Sequence, residues 1–319
     1  MDSTKIAEEG HMMFSLVCDT TLDIAYFILL SVVLLGLYRS FKVSPVYVLL
    51  SIIFCLTTSL HVIADMCLNF VLFYCFLDRK IMPGAPWTDT FSMVIAGLKL
   101  FARFYLILLQ GVMTTNRFCA IVFVAEYEKL FTMRKTILIV TVLFIVTLPT
   151  FPFYAFEIGE CLYVFRPNYL VWTYSLSVCR DIHEISLITV NCVVLSFVIL
   201  ADIIVLVLLW KRRENRMLQS LDSFWSELQF IIMTVILGIL TAISIGLRTA
   251  LDRVPIEHVS VNYVQKVVDV ILSLVSIIAV GFINRKVRME ILKIMRPWEK
   301  PRTQKRNSVL VQGKVAGNF

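Results

Sequence analysis

Long apolar stretches alternate with short polar segments along most of the chain. A bilayer core is roughly 30 Å thick and is crossed by about 20 apolar residues in a helix. Because no water satisfies backbone polar groups there, each crossing segment must be helical. The pattern predicts an all-α membrane protein, a seven-transmembrane-helix bundle, with spans at residues 21–38, 43–65, 90–117, 136–156, 185–210, 228–247 and 263–283.

The composition favours a membrane protein and leaves little room for a second module. Hydrophobic residues make up 59% and charged residues 17% of the 319 residues, and the mean hydropathy is +0.83. Seven crossings with short loops use nearly the whole length, which excludes a separate soluble catalytic domain. The predicted organisation is an extracellular N-terminus (1–20), the helix domain (21–283), a cytoplasmic amphipathic helix (284–296) and a disordered basic tail (297–319).

The basic residues predict which way the chain crosses the bilayer. With the N-terminus outside, most of the 30 Lys and Arg residues fall in segments that face the cytoplasm. Cytoplasmic loops of membrane proteins carry such an excess. The C-terminus is therefore predicted inside, and the net charge of +7 reflects topology and contact with the lipid bilayer. No nucleic-acid partner is predicted.

The eight cysteines separate by predicted depth. Cys55, Cys119 and Cys192 lie within or beside helices and are expected to be buried thiols. Disulfides persist at the oxidising outer face, where a bridge between Cys161 and Cys179, or from one of them to Cys67 or Cys75, is expected. The sequence leaves the pairing open.

A polar stripe runs down the third predicted helix. At 100° per residue, its members fall within about 60° of one another; they are Lys99, Arg103, Gln110, Thr114 and Arg117. A cation facing lipid is costly, so this stripe is predicted to face the bundle interior.

Two interpretations of the stripe remain open. Either Lys99 and Arg103 line a ligand cavity or hold a charge lock, or they only pair with acids of the bundle. The candidate acids are Asp65, Asp202 and Asp269, and Lys266 could compete for Asp269. A cavity would bind a small ligand, anionic if Lys99 or Arg103 is unpaired. The predicted ligand-pocket residues are Lys99, Arg103, Phe104, Trp172, Lys266 and Asp269.

The end of the third helix carries a short motif, Asn116-Arg117-Phe118, followed by Tyr127-Glu128-Lys129. It resembles the acid-Arg-aromatic triplet of G-protein-coupled receptors, and more closely the cap of nematode serpentine chemoreceptors of the class gamma superfamily and its relatives. The resemblance implies a plasma-membrane receptor, located in sensory cilia, that binds an odorant or pheromone-like small molecule. It further implies a heterotrimeric G protein as the cytoplasmic partner.

Departures from rhodopsin-like receptors limit what the resemblance carries over. The seventh span ends Gly281-Phe282-Ile283-Asn284, the sixth contains no proline, and no cysteine opens the third. What remains is a cation at a helix end, able to engage the negative C-terminal end of a partner helix. The predicted coupling residues are Asn116, Arg117, Phe118, Lys129, Arg134, Lys211, Arg212 and Arg213.

The segment after the seventh span alternates basic and apolar residues. Arg285, Lys286 and Arg288 are interleaved with Val287 and Met289, which is typical of an interfacial helix with its apolar side in the lipid headgroups. The same positive charge would suit a docking partner.

The sequence does not favour an enzyme. Its four histidines have no metal-ligand spacing, and neither a nucleophile elbow nor a phosphate loop occurs. No catalytic residue, metal or cofactor is predicted. The alternative to a receptor is a seven-helix ligand-gated channel or transporter with Lys99, Arg103 and Asp269 along its path, but no repeated half supports it.

Overall fold

The structure is a computed structural model. It describes residues 3–41, 45–77, 86–158, 161, 163–166, 171–174, 178–215, 221–251, 259–283 and 285–295, including most of their side chains. These segments contain ten α-helices: α1 (Ser3–Ser40), α2 (Pro45–Leu77), α3 (Pro86–Val122), α4 (Tyr127–Leu130), α5 (Met133–Thr147), α6 (Thr150–Ala155), α7 (Val178–Asn215), α8 (Leu221–Leu251), α9 (Val259–Ile278) and α10 (Arg285–Met295).

The helical bundle that the hydropathy pattern predicts is confirmed. Five helices in the described part of the chain are long and apolar enough to cross a membrane: Leu16–Ser40, Pro45–Cys67, Thr90–Val122, Met133–Ala155 and Asp181–Leu208. A shorter apolar stretch, Ile231–Ile243, lies in α8, and the segments Val267–Phe282 and Val287–Met295 form a further pair bent by 98°. Every predicted span thus overlaps helical structure, although most helices extend beyond the predicted ends.

The fourth span is broken at its prolines. α5 ends at Thr147 and α6 begins at Thr150, so Pro149 lies in the break. Proline lacks the N–H that a continuous helix needs. The Thr147 hydroxyl donates to the carbonyls of Leu143 and Phe144 at 2.9 and 3.1 Å, a back-bond that also bends helices. The fourth span is therefore interrupted at Pro149.

Helix α3 is the centre of the bundle, in contact with α2, α5, α6, α7 and α8. Small residues let its neighbours approach, as is usual between membrane helices. A Cβ at Gly97 would lie 2.6 Å from the carbonyl oxygen of Phe151 in α6. Ala96 and Ala102 are fully buried on the same helix. Polar residues on α3 are consequently held against several helices at once.

Helix α9 continues into a π-helical turn, Ala279–Ile283, and the chain then bends into α10. An amphipathic helix after the seventh span was predicted, but part of its apolar side does not face lipid. Val287 and Ile291 are buried, and Ile291 packs so close to α1 that a Cβ at Gly36 would lie 2.5 Å from its Cγ1. Met289 and Met295 remain exposed. α10 is thus anchored to the bundle as well as amphipathic.

A short β-hairpin in the second predicted outer loop was not foreseen. Strands β1 (Tyr163–Arg166) and β2 (Val171–Tyr174) pair antiparallel, with Tyr163 opposite Tyr174. β1 contacts α3 and β2 contacts α9. We call this side of the bundle the hairpin end and the opposite side the Arg117 end.

Candidate functional site

Three cations of α3 each pair with an acid from a different helix, and the first is Lys99. Its Nζ lies 2.6 and 2.7 Å from the two carboxylate oxygens of Asp65 in α2. Both residues are buried. Of the partners that the sequence left open, Asp65 holds Lys99, and this ion pair joins α3 to α2.

Arg103 lies one turn further along α3 and faces α9. Its Nη2 is 3.6 Å from Oδ2 of Asp269, and both side chains are almost fully buried. This distance gives an ion pair but exceeds that of an ordinary charged hydrogen bond. Within the described residues, Nη1 of Arg103 has no hydrogen-bond partner. The guanidinium therefore keeps donor capacity that no described residue uses.

A small polar cavity adjoins Arg103, with a volume of about 80 Å³. Helices α2, α3, α8 and α9 form its walls, with Arg103 and Asp269 beside His61 of α2. His61 is within electrostatic reach of Lys99, Asp65, Arg103 and Asp269, and its Nδ1 lacks a partner among the described side chains. Drug-sized ligand pockets measure about 300–1,000 Å³, so this conformation accepts water or a very small molecule.

Gln110 ties the inner side of this cavity to α8. Its Nε2 donates to the Thr241 hydroxyl at 2.7 Å, and Thr241 in turn donates to the Leu237 carbonyl at 2.9 Å. Both residues line the cavity. The polar stripe of α3 thus contacts α2, α9 and α8 in succession.

The predicted pocket residues separate into three groups. Arg103 and Asp269 line the cavity, whereas Lys99 is occupied by Asp65 and is not part of the lining. Phe104 lies against α7, where its ring meets that of His183 edge to face at 5.3 Å. The side chains of Trp172 and Lys266 lie outside the described residues.

Sequence reasoning did not single out His61 or Thr241 for this cavity. A signal for His61 was present, because His61 and Asp65 are four residues apart in α2 and so share one face of the helix. Thr241 gave no comparable signal in an apolar span.

Arg117 forms the third pair, at the opposite end of α3. Its Nη1 lies 3.5 Å from Oδ1 of Asp202 in α7, and the two side chains are 10% and 4% exposed. A cavity of about 620 Å³ opens beside it, with walls that include Tyr47, Asn116 and Met233. Arg117 is thus restrained at the edge of a large opening.

The loop after α3 closes one wall of that opening. The Tyr127 hydroxyl in α4 donates to Oδ1 of Asn116 at 3.0 Å. Burial raises the pKa of the Tyr127 phenol, and the hydrogen bond with Asn116 offsets this only in part. Tyr127 therefore stays a neutral donor, which fixes the Asn116 amide next to Arg117.

The other predicted coupling residues at the Arg117 end differ in exposure. Lys129, Arg134 and Lys211 are exposed. Phe118 packs against Ile121, Val205 and Ile231 and so belongs to the interface of α3, α7 and α8. The side chains of Arg212 and Arg213 lie outside the described residues.

The disulfide partner of Cys161, which the sequence left open, is not Cys67. Cys161 is disulfide-bonded, and it is buried in a cluster with Ala96, Leu100 and Tyr154. Cys67 is a free thiol. Because α2 continues to Leu77, Cys67 lies about 15 Å from the end of its helix, within the bundle. The side chains of Cys75 and Cys179 lie outside the described residues.

Comparison with known families identifies this architecture. A model of the serpentine type 7TM GPCR chemoreceptor family Srx matches residues 46–276. The chain belongs to this family. The predicted serpentine chemoreceptor is thereby confirmed, and the matched region contains the three ion pairs, the polar cavity and most of the Arg117 end.

The family also gives the coarse function of this chemoreceptor. It is a family of multi-span membrane receptors and not of enzymes. No curated protein matches the chain. The ligand and the signalling partner must therefore be argued from the residues of this chemoreceptor itself.

Proposed function

We propose that this chemoreceptor binds an external small molecule in the polar cavity beside Arg103 and activates a heterotrimeric G protein at the Arg117 end. The observation that carries the proposal is that both arginines belong to α3 and are paired to different helices, Arg103 to α9 and Arg117 to α7. They lie roughly 21 Å apart along the helix axis. Movement of one rigid helix would therefore affect both ion pairs.

The ligand would act by shifting a population. A molecule that binds better when α9 and α3 have separated stabilises that state, and packed helices respond with small shifts or rotations. Such a rotation of α3 would move Arg117 away from Asp202. The freed guanidinium could then engage the partially negative C-terminal end of a partner helix in the 620 Å³ opening.

The positive-inside bias supports an Arg117 end that faces the cytoplasm. The hairpin end would then face outward, and we propose the plasma membrane, in sensory cilia, as the site of action. An ion path is less well supported, because Lys99, Arg103 and Arg117 are each held by an acid and the cavity beside Arg103 measures only about 80 Å³.

The test is guanine-nucleotide exchange by a panel of Gα subunits in membranes that contain the full chain, with a mixed odorant library as stimulus. Wild type should stimulate exchange and Arg117→Ala should abolish it at equal surface expression. Lys293→Ala is the matched control, since Lys293 is an exposed cation on α10. Exchange that persists in Arg117→Ala, or a ligand-evoked current without exchange, would overturn the proposal.

A further inference from the structure

The disulfide of Cys161 has two candidate partners. Cys161 is disulfide-bonded and is buried in a cluster with Ala96 and Leu100 of α3 and Tyr154 of α6. The chain has eight cysteines, and the free thiols among them are Cys18, Cys55, Cys67, Cys119 and Cys192. This leaves Cys75, near the end of α2, and Cys179, in the first turn of α7.

The position of Cys75 along α2 does not fit the bond. Asp65 of α2 holds Lys99, and Lys99 lies between the two α3 residues of the Cys161 cluster. Cys75 is ten residues beyond Asp65, which is a rise of about 15 Å along a helix. The two Cα atoms of a disulfide are only about 4.4–6.8 Å apart. α2 thus places Cys75 well beyond the level of Cys161.

The position of Cys179 along α7 does fit. Two contacts align α7 with α3 in the same direction: Phe104 with His183, and one turn further Ile107 with Leu187. Cys179 precedes His183 by four residues and so lies one turn earlier on the same face of α7. The matching turn of α3, one before Phe104, is the turn that belongs to the Cys161 cluster.

Tyr154 connects the two places directly. Its ring meets that of His183 edge to face at 5.1 Å, and it also belongs to the cluster that buries Cys161. Cys161 is therefore separated from the beginning of α7 by a single side chain.

The β-hairpin brings the same two positions together along the chain. Tyr163 pairs with Tyr174 at the open end of the hairpin. Cys161 precedes Tyr163 by two residues, and Cys179 follows Tyr174 by five. Neighbouring strands are about 4.8 Å apart, so both cysteines leave the hairpin at the same end, on short connections.

We infer that Cys161 and Cys179 form a disulfide that fastens the β1–β2 hairpin to α7 and makes it a strap across the hairpin end of the bundle. β1 contacts α3 and β2 contacts α9, the two helices that the Arg103–Asp269 pair joins. With its base fixed to α7, the hairpin restrains three helices. The inference goes beyond the proposed function, because neither the bond nor the strap requires a ligand or a G protein.

The bond is tested on the full wild-type chain by peptide mapping without reductant. Free thiols are first alkylated in denaturant, and the chain is then cut with chymotrypsin, which cleaves after aromatic residues such as Phe165 and Trp172 between the two cysteines. A Cys161 peptide linked to a Cys179 peptide is expected, and reduction should separate them. A link to Cys75, or alkylation of Cys179 before reduction, would overturn the inference.

Stability variants test the same pairing. Cys161→Ser and Cys179→Ser remove one and the same bond, so the two single variants and the double variant should lose about the same amount of melting temperature. Cys75→Ser is the matched control and should keep the linked peptide. A double variant whose loss equals the sum of the two single losses would contradict the pairing. If Cys161→Ser does not fold, peptide mapping of the wild type decides.

Hydrogen exchange of the native receptor tests the strap. The amides of Tyr163–Arg166 and Val171–Tyr174 should exchange about tenfold faster or more in Cys179→Ser, because the hairpin opens more often once its ends are released. Cys75→Ser should exchange at the wild-type rate. Unchanged exchange in Cys179→Ser would overturn the strap. None of these measurements uses a G protein, so a failed nucleotide-exchange assay would count against the proposed function alone.

Discussion

Lys99 and Asp65 form the shortest of the three interhelical ion pairs of α3, with Nζ 2.6 Å from Oδ1 and both side chains almost fully buried. A buried pair is weak evidence for net stability, because desolvation offsets much of the attraction. It does make each partner dependent on the other. The pair also leaves Arg103 as the cation that faces the cavity.

Removing one partner of this pair should be far more costly than removing both. Asp65→Leu or Lys99→Met alone leaves an uncompensated buried charge, which costs about 3–5 kcal/mol. The double variant, with apolar groups of similar volume, should recover most of that loss. Thermal unfolding of the purified receptor measures the free energies of all three.

Lys293→Met is the control for this cycle. Lys293 pairs with Glu290 on α10 at 2.6 Å but is 63% exposed, so its loss should change stability by no more than about 0.5 kcal/mol. Equal losses of stability in the double variant and the two single variants would contradict the mutual dependence of Lys99 and Asp65.

Periodicity was sufficient to predict which face of α3 is buried. Lys99, Arg103 and Arg117 lie on one stripe, and because lipid does not solvate cations, the stripe had to turn inward; all three are buried or nearly so. Their partners could not be assigned, since pairing depends on the rotation and depth of α2, α7 and α9, which no local pattern specifies.

The sequence pattern also could not predict where the helices end or how the loops are structured. The apolar residues between Asp65 and Leu77 fit either a helix or an outer loop, and for that reason the sequence kept Cys67 among the possible disulfide partners of Cys161. The β1–β2 hairpin lies between two spans, where hydropathy carries no information about strand pairing. His61 was missed because a lone histidine in an apolar helix is usually a packing residue.

Gly97 should not tolerate a side chain. A Cβ at this position would lie 2.6 Å from the Phe151 carbonyl oxygen and 3.3 Å from the Ala155 nitrogen, and backbone atoms cannot move aside as a flexible side chain would. Gly97→Ala should therefore destabilise by about 1–3 kcal/mol.

Gly246→Ala is the matched substitution. Outside the backbone of its own helix, no atom of the described residues lies within 4 Å of a Cβ there, and alanine is preferred over glycine inside a helix by about 1 kcal/mol. The melting temperature should fall for Gly97→Ala and rise or stay constant for Gly246→Ala. The reverse order would refute the close approach of α3 and α6.

Cys161 and Cys67 should differ in reactivity. Cys161 is disulfide-bonded and Cys67 is a free thiol. Alkylation of the unfolded, unreduced receptor should label Cys67, whereas Cys161 should require a reductant first; peptide mass analysis distinguishes the two. Cys161→Ser should cost about 2–5 kcal/mol of stability, and Cys67→Ser should leave the disulfide intact. Labelling of Cys161 without reductant would contradict the assignment.

Asp202 should restrain basal signalling if Arg117 is the coupling residue. Asp202→Asn keeps the shape of the side chain but removes the charge 3.5 Å from the Arg117 guanidinium, so the population in which Arg117 has left α7 should grow. A loss of about 1.4 kcal/mol in the pair corresponds to a tenfold shift. Basal nucleotide exchange should rise several-fold without ligand.

Two control variants test this assignment. Asp181→Asn changes an exposed acid on the same helix and should leave basal exchange unchanged, and the double variant Asp202→Asn, Arg117→Ala should return basal exchange to background. Unchanged exchange in Asp202→Asn at equal surface expression would mean that the Arg117–Asp202 pair stabilises the bundle and does not gate it.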